Sequence, residues 1–278
     1  MSDFFINSFS VSPDGFPAPI GVVTTLFSDP NGDGYPFGFD VDNNIIYAIG
    51  FDSFGDKELI KLTLSGTRTL ISSAVSSPLR AYYGKDNAVY SVGGTITKWN
   101  PSTGASMTFN DPGAYSFAAA QDSSNNFYFT DLANGKVVKT DSSGNNVNYN
   151  FATIEAPRGV AVDSNDNIYV AGYYDEQIYK ITPAGVKTPF VAIPEPVGIT
   201  FDDKNNLYVT SFANQIYKVT LAGSATIFAG SPYPYDSGNT NGTGTAARFN
   251  TPWDIKYDKK TGFLYVLDQG TVTFRKIT

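Results

Sequence analysis

Residues 157–170 read Pro157-Arg158-Gly159-Val160-Ala161-Val162-Asp163-Ser164-Asn165-Asp166-Asn167-Ile168-Tyr169-Val170. Two short runs rich in β-branched and aromatic residues flank a polar turn. That is the pattern of two adjacent strands; a helix would repeat its apolar residues every three or four positions. Two further runs follow, Ile178-Tyr179-Lys180-Ile181 and Val186 to Val191, parted by Thr182-Pro183-Ala184-Gly185. We name the four runs a, b, c and d. The a–b and c–d turns are built from Asn, Asp, Gly and Pro, which accept tight-turn backbone angles, so these turns are read as structural.

Tyr169 has counterparts in both directions along the chain. Tyr47, Tyr90, Tyr128, Tyr169, Tyr208 and Tyr265 each close the same polar-turn-then-strand pattern, at intervals of 43, 38, 41, 39 and 57 residues. Six copies of a four-strand unit near forty residues predict an all-β, six-bladed β-propeller of four-stranded antiparallel blades, occupying residues 1–278 as a single domain. The sixth copy stops at Phe274-Arg275-Lys276-Ile277-Thr278, a run c with no d behind it, whereas an orphan d run, Gly21 to Phe27, stands at the other end. The N-terminal strand, about 21–27, is therefore expected to complete the C-terminal blade by pairing within residues 271–278. Such closure leaves only short, protected sheet edges.

The stretch 157–163, its turn, and Asn167-Ile168-Tyr169-Val170 resemble the core of the NHL repeat. Phe228-Ala229-Gly230-Ser231 followed by Gly242 to Pro252 is similar to the glycine-rich extension found between NHL repeats. The resemblance is strongest over residues 155–278. The first three copies keep the period but carry Leu79-Arg80-Ala81 and Phe117-Ala118-Ala119 where the fourth has Arg158-Gly159-Val160. A WD40 reading lacks its Trp-Asp ending.

Composition narrows the function. The 278 residues are 41% hydrophobic and 16% charged, which suits a chain with a full core. Nineteen basic against twenty-six acidic residues leave a net charge of −7, with the basic residues scattered singly. No nucleic-acid partner is expected, because polyanion binding needs clustered Lys and Arg, and the same balance disfavours docking on an anionic membrane. No apolar run is long enough to span a membrane, and Met1 to Phe9 lacks the features of a signal peptide. The expectation is a soluble chain whose compartment is left open. There is no Cys, hence no disulfide, thiolate metal site or cysteine nucleophile. There is no His either, which removes the Ser-His-Asp triad, His-ligated zinc and imidazole acid–base chemistry.

In a propeller the b–c loops and d–a connections emerge at one end. Here they include Phe51 to Asp56, Gly93-Gly94, Asp131 to Asn134, Tyr173 to Glu176, Ser211 to Asn214 and Asp268 to Gly270, a rim that is aromatic, acidic and different in every copy. Divergence at one rim of a repetitive scaffold suggests a binding surface. Candidate ligand-binding residues are Phe51, Phe54, Tyr173, Tyr174, Phe212, Tyr233, Tyr235 and Trp253, which suit a glycan or a protein partner. The starts of the a runs, with Phe37, Leu79, Phe117, Arg158, Val197 and Trp253, reach the same end. Arg80 and Arg158 are expected at the central channel, either open to a ligand or sealed by Asp254 or Asp40. A non-enzymatic binding module is the leading reading. The alternative is a divalent-metal-dependent hydrolase of the gluconolactonase-like propeller type, which the chain resembles in architecture, with Asp131, Asp254 and Asp268 as candidate acids. No catalytic residue is assigned.

Asp29-Pro30-Asn31-Gly32-Asp33-Gly34 has the opening of a calcium loop, with Asp29, Asn31 and Asp33 as ligands and Asp40 at the twelfth position. A plain Gly-Asn-Asp turn competes with that reading, since Asp40 falls inside a run a. No cofactor other than Ca2+ is called for.

Overall fold

A computed structural model describes residues 21–28, 38–51, 54, 56–75, 78–110, 116–145 and 147–278. The four runs of the opening stretch are the strands Pro157–Val162, Ile168–Gly172, Gln177–Ile181 and Lys187–Ala192, hydrogen-bonded in that order as one antiparallel sheet. Five sheets have four consecutive strands each, and a sixth is completed from both ends of the chain. The a strands Phe39–Asp42, Pro78–Tyr83, Ser116–Gln121, Pro157–Val162, Pro196–Phe201 and Pro252–Asp258 each pack on the a strands of both neighbouring sheets, the last on the first. The fold is a six-bladed β-propeller whose axis is lined by the a strands. Among the described residues the only helical turns are Gly244–Ala246 and Gln269–Thr271, and no helix is long and apolar enough to cross a membrane.

The a–b turn explains why the repeat reads Asp…Asn…Tyr. In the fourth blade the Asp163 carboxylate accepts the backbone N–H groups of Asn165 and Asn167 (2.9 Å each), the Asn167 side-chain amide (3.0 Å) and the Tyr169 hydroxyl (3.3 Å). Asp122 with Asn126 and Tyr128, and Asp202 with Asn206 and Tyr208, repeat this arrangement. Positive φ angles fall on Asn125, Asp166 and Asn205, between 57° and 62°, where the short polar side chains of Asn and Asp are tolerated. At the c–d turn Gly144 has φ +83°, and a Cβ there would lie 2.5 Å from the Phe109 carbonyl oxygen, so blade packing requires glycine. The six repeat tyrosines are all buried, and the apolar clusters lie between adjacent blades. One joins Phe117, Tyr128 and Phe151 to Val160, Ile168 and Val170.

The expected closure is present. Val22–Ser28 pairs antiparallel with Thr273–Ile277, aligning Val23 with Ile277 and Thr25 with Arg275. The glycine-rich extension does more than the sequence indicates. Gly242–Thr243 adds a fifth strand outside the N-terminal one, pairing with Val23 and Val22. Arg275, fully buried, ties the two together: its Nη1 donates to the Arg248 carbonyl (3.0 Å) and Asp268 (3.2 Å), its Nη2 to the Thr240 carbonyl (3.1 Å) and the Asn241 side chain (3.0 Å).

Candidate functional site

Each a strand of blades two to six shifts register against its b strand near its start, between Pro78 and Arg80, Ser116 and Ala118, Pro157 and Val160, Pro196 and Ile199, and Pro252 and Asp254. Bulges re-aim side chains, and these shifts bracket the residues that close the axis. The approach is tight: a Cβ on Gly198 would sit 2.8 Å from the Asp254 Cα.

Arg80 and Asp254 form an ion pair across this constriction, 2.6 Å from Nη1 to Oδ2, with 3% and 1% of their side chains exposed. Asp254 also accepts the backbone N–H groups of Phe39 (3.3 Å) and Ile255 (3.0 Å). Of the two sealing partners weighed for Arg80, the structure selects Asp254. Asp40 instead accepts the backbone N–H groups of Val41 (2.8 Å) and Tyr83 (2.9 Å). Burial pushes its carboxyl above the usual range, with Lys256 pulling the other way. Asp29, Asn31, Asp33 and Phe37 lie outside the described residues.

Arg158 has no such partner. Among the described residues no carboxylate lies within 4.0 Å of it, and its Nε and Nη1 are shut away from solvent without an acceptor. Its guanidinium carbon stands 3.8 Å from the Tyr173 ring centroid, 5.1 Å from Phe212, 5.4 Å from Trp253 and 5.8 Å from Phe117. The rings also touch one another, Tyr173 with Phe212 at 5.7 Å and Phe212 with Trp253 at 5.0 Å. Burial lowers the pKa of Arg158, Tyr173 opposes that, and Arg80 lowers it further. Phe117 carries Arg80 on its ring at 4.3 Å as well, so one phenyl group adjoins both cations.

Backbone bonds place these rings. The Tyr173 N–H donates to the Ala156 carbonyl (3.3 Å) and the Phe212 N–H to that of Glu195 (3.1 Å), tying the b–c loops to the d–a connections. Thus Arg80, Arg158, Tyr173, Phe212 and Trp253, from blades two, four, five and six, meet at the axis. Tyr174 joins through its contact with Tyr173 (5.4 Å) and is 71% exposed. The extension reaches the same rim, where the Tyr235 N–H donates to the Ala213 carbonyl (2.8 Å). Tyr235 and Tyr233 are exposed. Phe51 and Phe54 lie on the first blade and are not among the rings around Arg158.

The three acids considered for metal chemistry do not converge. Asp131 accepts the backbone and side-chain N–H groups of Asn134 (3.0 and 2.8 Å), Asp254 holds Arg80, and Asp268 accepts the Asn250 N–H (2.8 Å) and pairs with Arg275. No cluster of three acidic side chains that could hold a metal exists among the described residues.

The opposite end of the axis holds a cavity of about 620 Å³ that the sequence reading did not anticipate. It runs from the a–b turns to the layer of Ala119, Val160 and Ile199, below the Arg80–Asp254 pair. A signal for it exists. The a-strand residues paired with the repeat tyrosines are Asp40, Tyr82, Ala120, Ala161, Thr200 and Lys256; all six line the cavity, and four are polar where a buried strand is expected to be apolar.

The family model of the SMP-30/gluconolactonase/LRE-like region matches residues 118–213, which include Arg158, Tyr173 and Phe212 but neither Arg80 nor Trp253. No curated protein sequence matches the chain. Among solved structures, a protein of unknown function from Bacteroides thetaiotaomicron is 21% identical, aligning 93% of this chain with 76% of its own at a TM-score of 0.77. An auxiliary nutrient binding protein from Bacteroides ovatus is 13% identical over 96% of this chain and 82% of its own, at a TM-score of 0.71. A catalytically inactive His-to-Ala variant of virginiamycin B lyase from Staphylococcus aureus, solved with quinupristin, is 16% identical over 93% and 99%, at 0.61. At these identities the likeness is one of fold.

Proposed function

We propose that the chain is a non-enzymatic binding module, an NHL-type propeller whose ligand face is the b–c end of its channel. The observation that carries this reading is the convergence of Phe117, Tyr173, Phe212 and Trp253, from four blades, on the guanidinium of Arg158. Exposed Tyr174, Tyr233 and Tyr235 extend the aromatic surface outward. Ring faces beside amide and carboxylate groups suit a glycan or an inserted protein loop, and a sugar ring is the ligand to test first. A binding role is also what is stated for the nutrient binding protein that shares the fold. Hydrolysis is the weaker reading, because each candidate acid is committed to a protein partner. Lyase chemistry has no support either: the lyase variant lacking one histidine is inactive, and this chain has no histidine.

The test is a glycan-array screen of the full chain, followed by titration of any ligand found against a Tyr173→Ala/Phe212→Ala variant. Truncating two ring contacts at the centre of a site costs about 2 kcal/mol or more, so affinity falls at least about thirtyfold. Unchanged affinity in a folded variant places the ligand face elsewhere.

A further inference from the structure

We propose that the b–c end of the channel is an anion site for a carboxylate borne on a six-membered ring, with Arg158 pairing the carboxylate and Tyr173, Phe212 and Trp253 flanking the ring. The proposal rests on the binding reading above and specifies the chemistry of its ligand.

The first argument is charge. Arg80 and Arg158 adjoin the same Phe117 ring, and the carboxylate of Asp254 is in contact with Arg80 alone. Glu195 acts on Arg158 from beyond ion-pair distance. Arg158 is therefore left without a carboxylate in contact, in a chain whose net charge is −7. A single monoanion supplies that contact.

The second argument is hydrogen bonding. A guanidinium offers five N–H donors in a fork that matches a carboxylate. Arg275 shows how this protein treats an arginine whose role is structural: its Nη1 and Nη2 each have two acceptors, and Nε alone is buried without one. Arg158 is equally well placed by its strand, and its own carbonyl accepts the Thr130 hydroxyl (2.6 Å), yet Nε and Nη1 are buried without acceptors. Arg80 likewise leaves Nε and Nη2 empty. Aromatic faces offset the charge but accept none of these hydrogens conventionally, and unsatisfied donors concentrate where a ligand is meant to complete the set. The third argument is shape. Tyr173 lies against the guanidinium at 3.8 Å while Phe212 and Trp253 stand further back at 5.1 and 5.4 Å, so the cation is walled by rings, and a carboxylate reaching it would bring its own ring among them.

The experiment is calorimetric titration of the full chain with galacturonate and benzoate, each beside a neutral counterpart (methyl galacturonate, benzamide) and beside inorganic phosphate. The acids are expected to bind at least tenfold tighter than their neutral counterparts and tighter than phosphate. That advantage is expected to shrink with added salt and to vanish in Arg158→Gln. Which acid binds better decides between a sugar acid and an aromatic acid. Equal affinity of acid and neutral partner overturns the proposal with no variant needed, as does tighter phosphate binding or undiminished acid binding in a folded Arg158→Gln protein. If neither acid binds while a neutral glycan still does, and that binding is lost in Tyr173→Ala/Phe212→Ala, the carboxylate proposal fails and the binding face stands.

Discussion

Replacing Arg275 by Met tests how the ring is locked. The side chain is fully buried, and its four acceptors belong to the last blade (Asp268) and the glycine-rich extension (Arg248, Thr240 and Asn241). The extension in turn holds the N-terminal strand, through the Gly244 N–H on the Gly21 carbonyl (2.8 Å) and the pairing of Gly242–Thr243 with Val22 and Val23. Met fills much of the volume but leaves Asp268 buried without its cation, and breaking a buried pair from one side costs about 3–5 kcal/mol. For a chain of this size that lowers the melting temperature by about 6–15 °C. Thermal and urea unfolding at pH 8 measure it.

The pH dependence has a defined sign. Burial outweighs the Asn250, Arg275 and Thr271 contacts and pushes Asp268 up to about 7, against an unfolded value near 3.8. Across that window the native state holds a proton that the unfolded chain lacks, so this group's contribution to stability is full at acid pH and declines as pH rises toward 7. The Arg275–Asp268 coupling, read from a cycle with Asp268→Asn, should therefore be larger at pH 8 than at pH 5. A melting shift under about 2 °C for Arg275→Met, which is less than about 1 kcal/mol, refutes the locking role. A coupling that grows on acidification refutes the pH argument.

Gly198→Ala forces a Cβ to 2.8 Å from the Asp254 backbone, and such overpacking is expected to cost about 1–3 kcal/mol in chemical denaturation. Asp163→Ala removes the acceptor for two backbone N–H groups, an amide and a hydroxyl in the fourth a–b turn; a loss of about 2 kcal/mol is expected, with faster hydrogen exchange concentrated in Ile168–Gly172. Arg80→Met strips Asp254 of its cation inside the constriction and should destabilise by about 3–5 kcal/mol, whereas Arg158→Gln, which breaks no ion pair, should move the melting temperature by much less.

The fold was readable because its determinants are local and repeated. The Asp…Asn…Tyr turns of blades three, four and five each bond within themselves, the tyrosine recurs six times to announce six blades, and an orphan d run beside a missing one announces the closure. What escaped depends on partners remote in sequence. Gly242–Thr243 carries no strand pattern, and it is a strand because Val22 and Val23 offer it an edge. Whether Arg80 meets Asp254 or Asp40 turns on the register shift between Pro78 and Arg80, which alternation cannot show. Phe117 was placed at the right end of the axis, but its service to two guanidiniums depends on three blades at once. The cavity went unseen although Asp40, Tyr82, Thr200 and Lys256 stand at equivalent positions of their a strands, because each looks unremarkable until the six are aligned on the tyrosines.

The division of labour between the two ends of the axis follows from which atoms do the holding. At the a–b end, side chains help make the turns, so a change at Asp163, Asn167 or Tyr169 costs the fourth blade turn hydrogen bonds. At positions 173 and 212 of the b–c end the ties are main-chain bonds, Tyr173 N–H to Ala156 O and Phe212 N–H to Glu195 O, and any residue but proline can donate them. The side chains at 173 and 212 are therefore free of any duty in the turn and available to differ from copy to copy. That these free positions carry rings that converge on an arginine with empty donors, in preference to the short polar residues a solvated loop would bear, is what supports the proposal of a ligand at this end of the propeller.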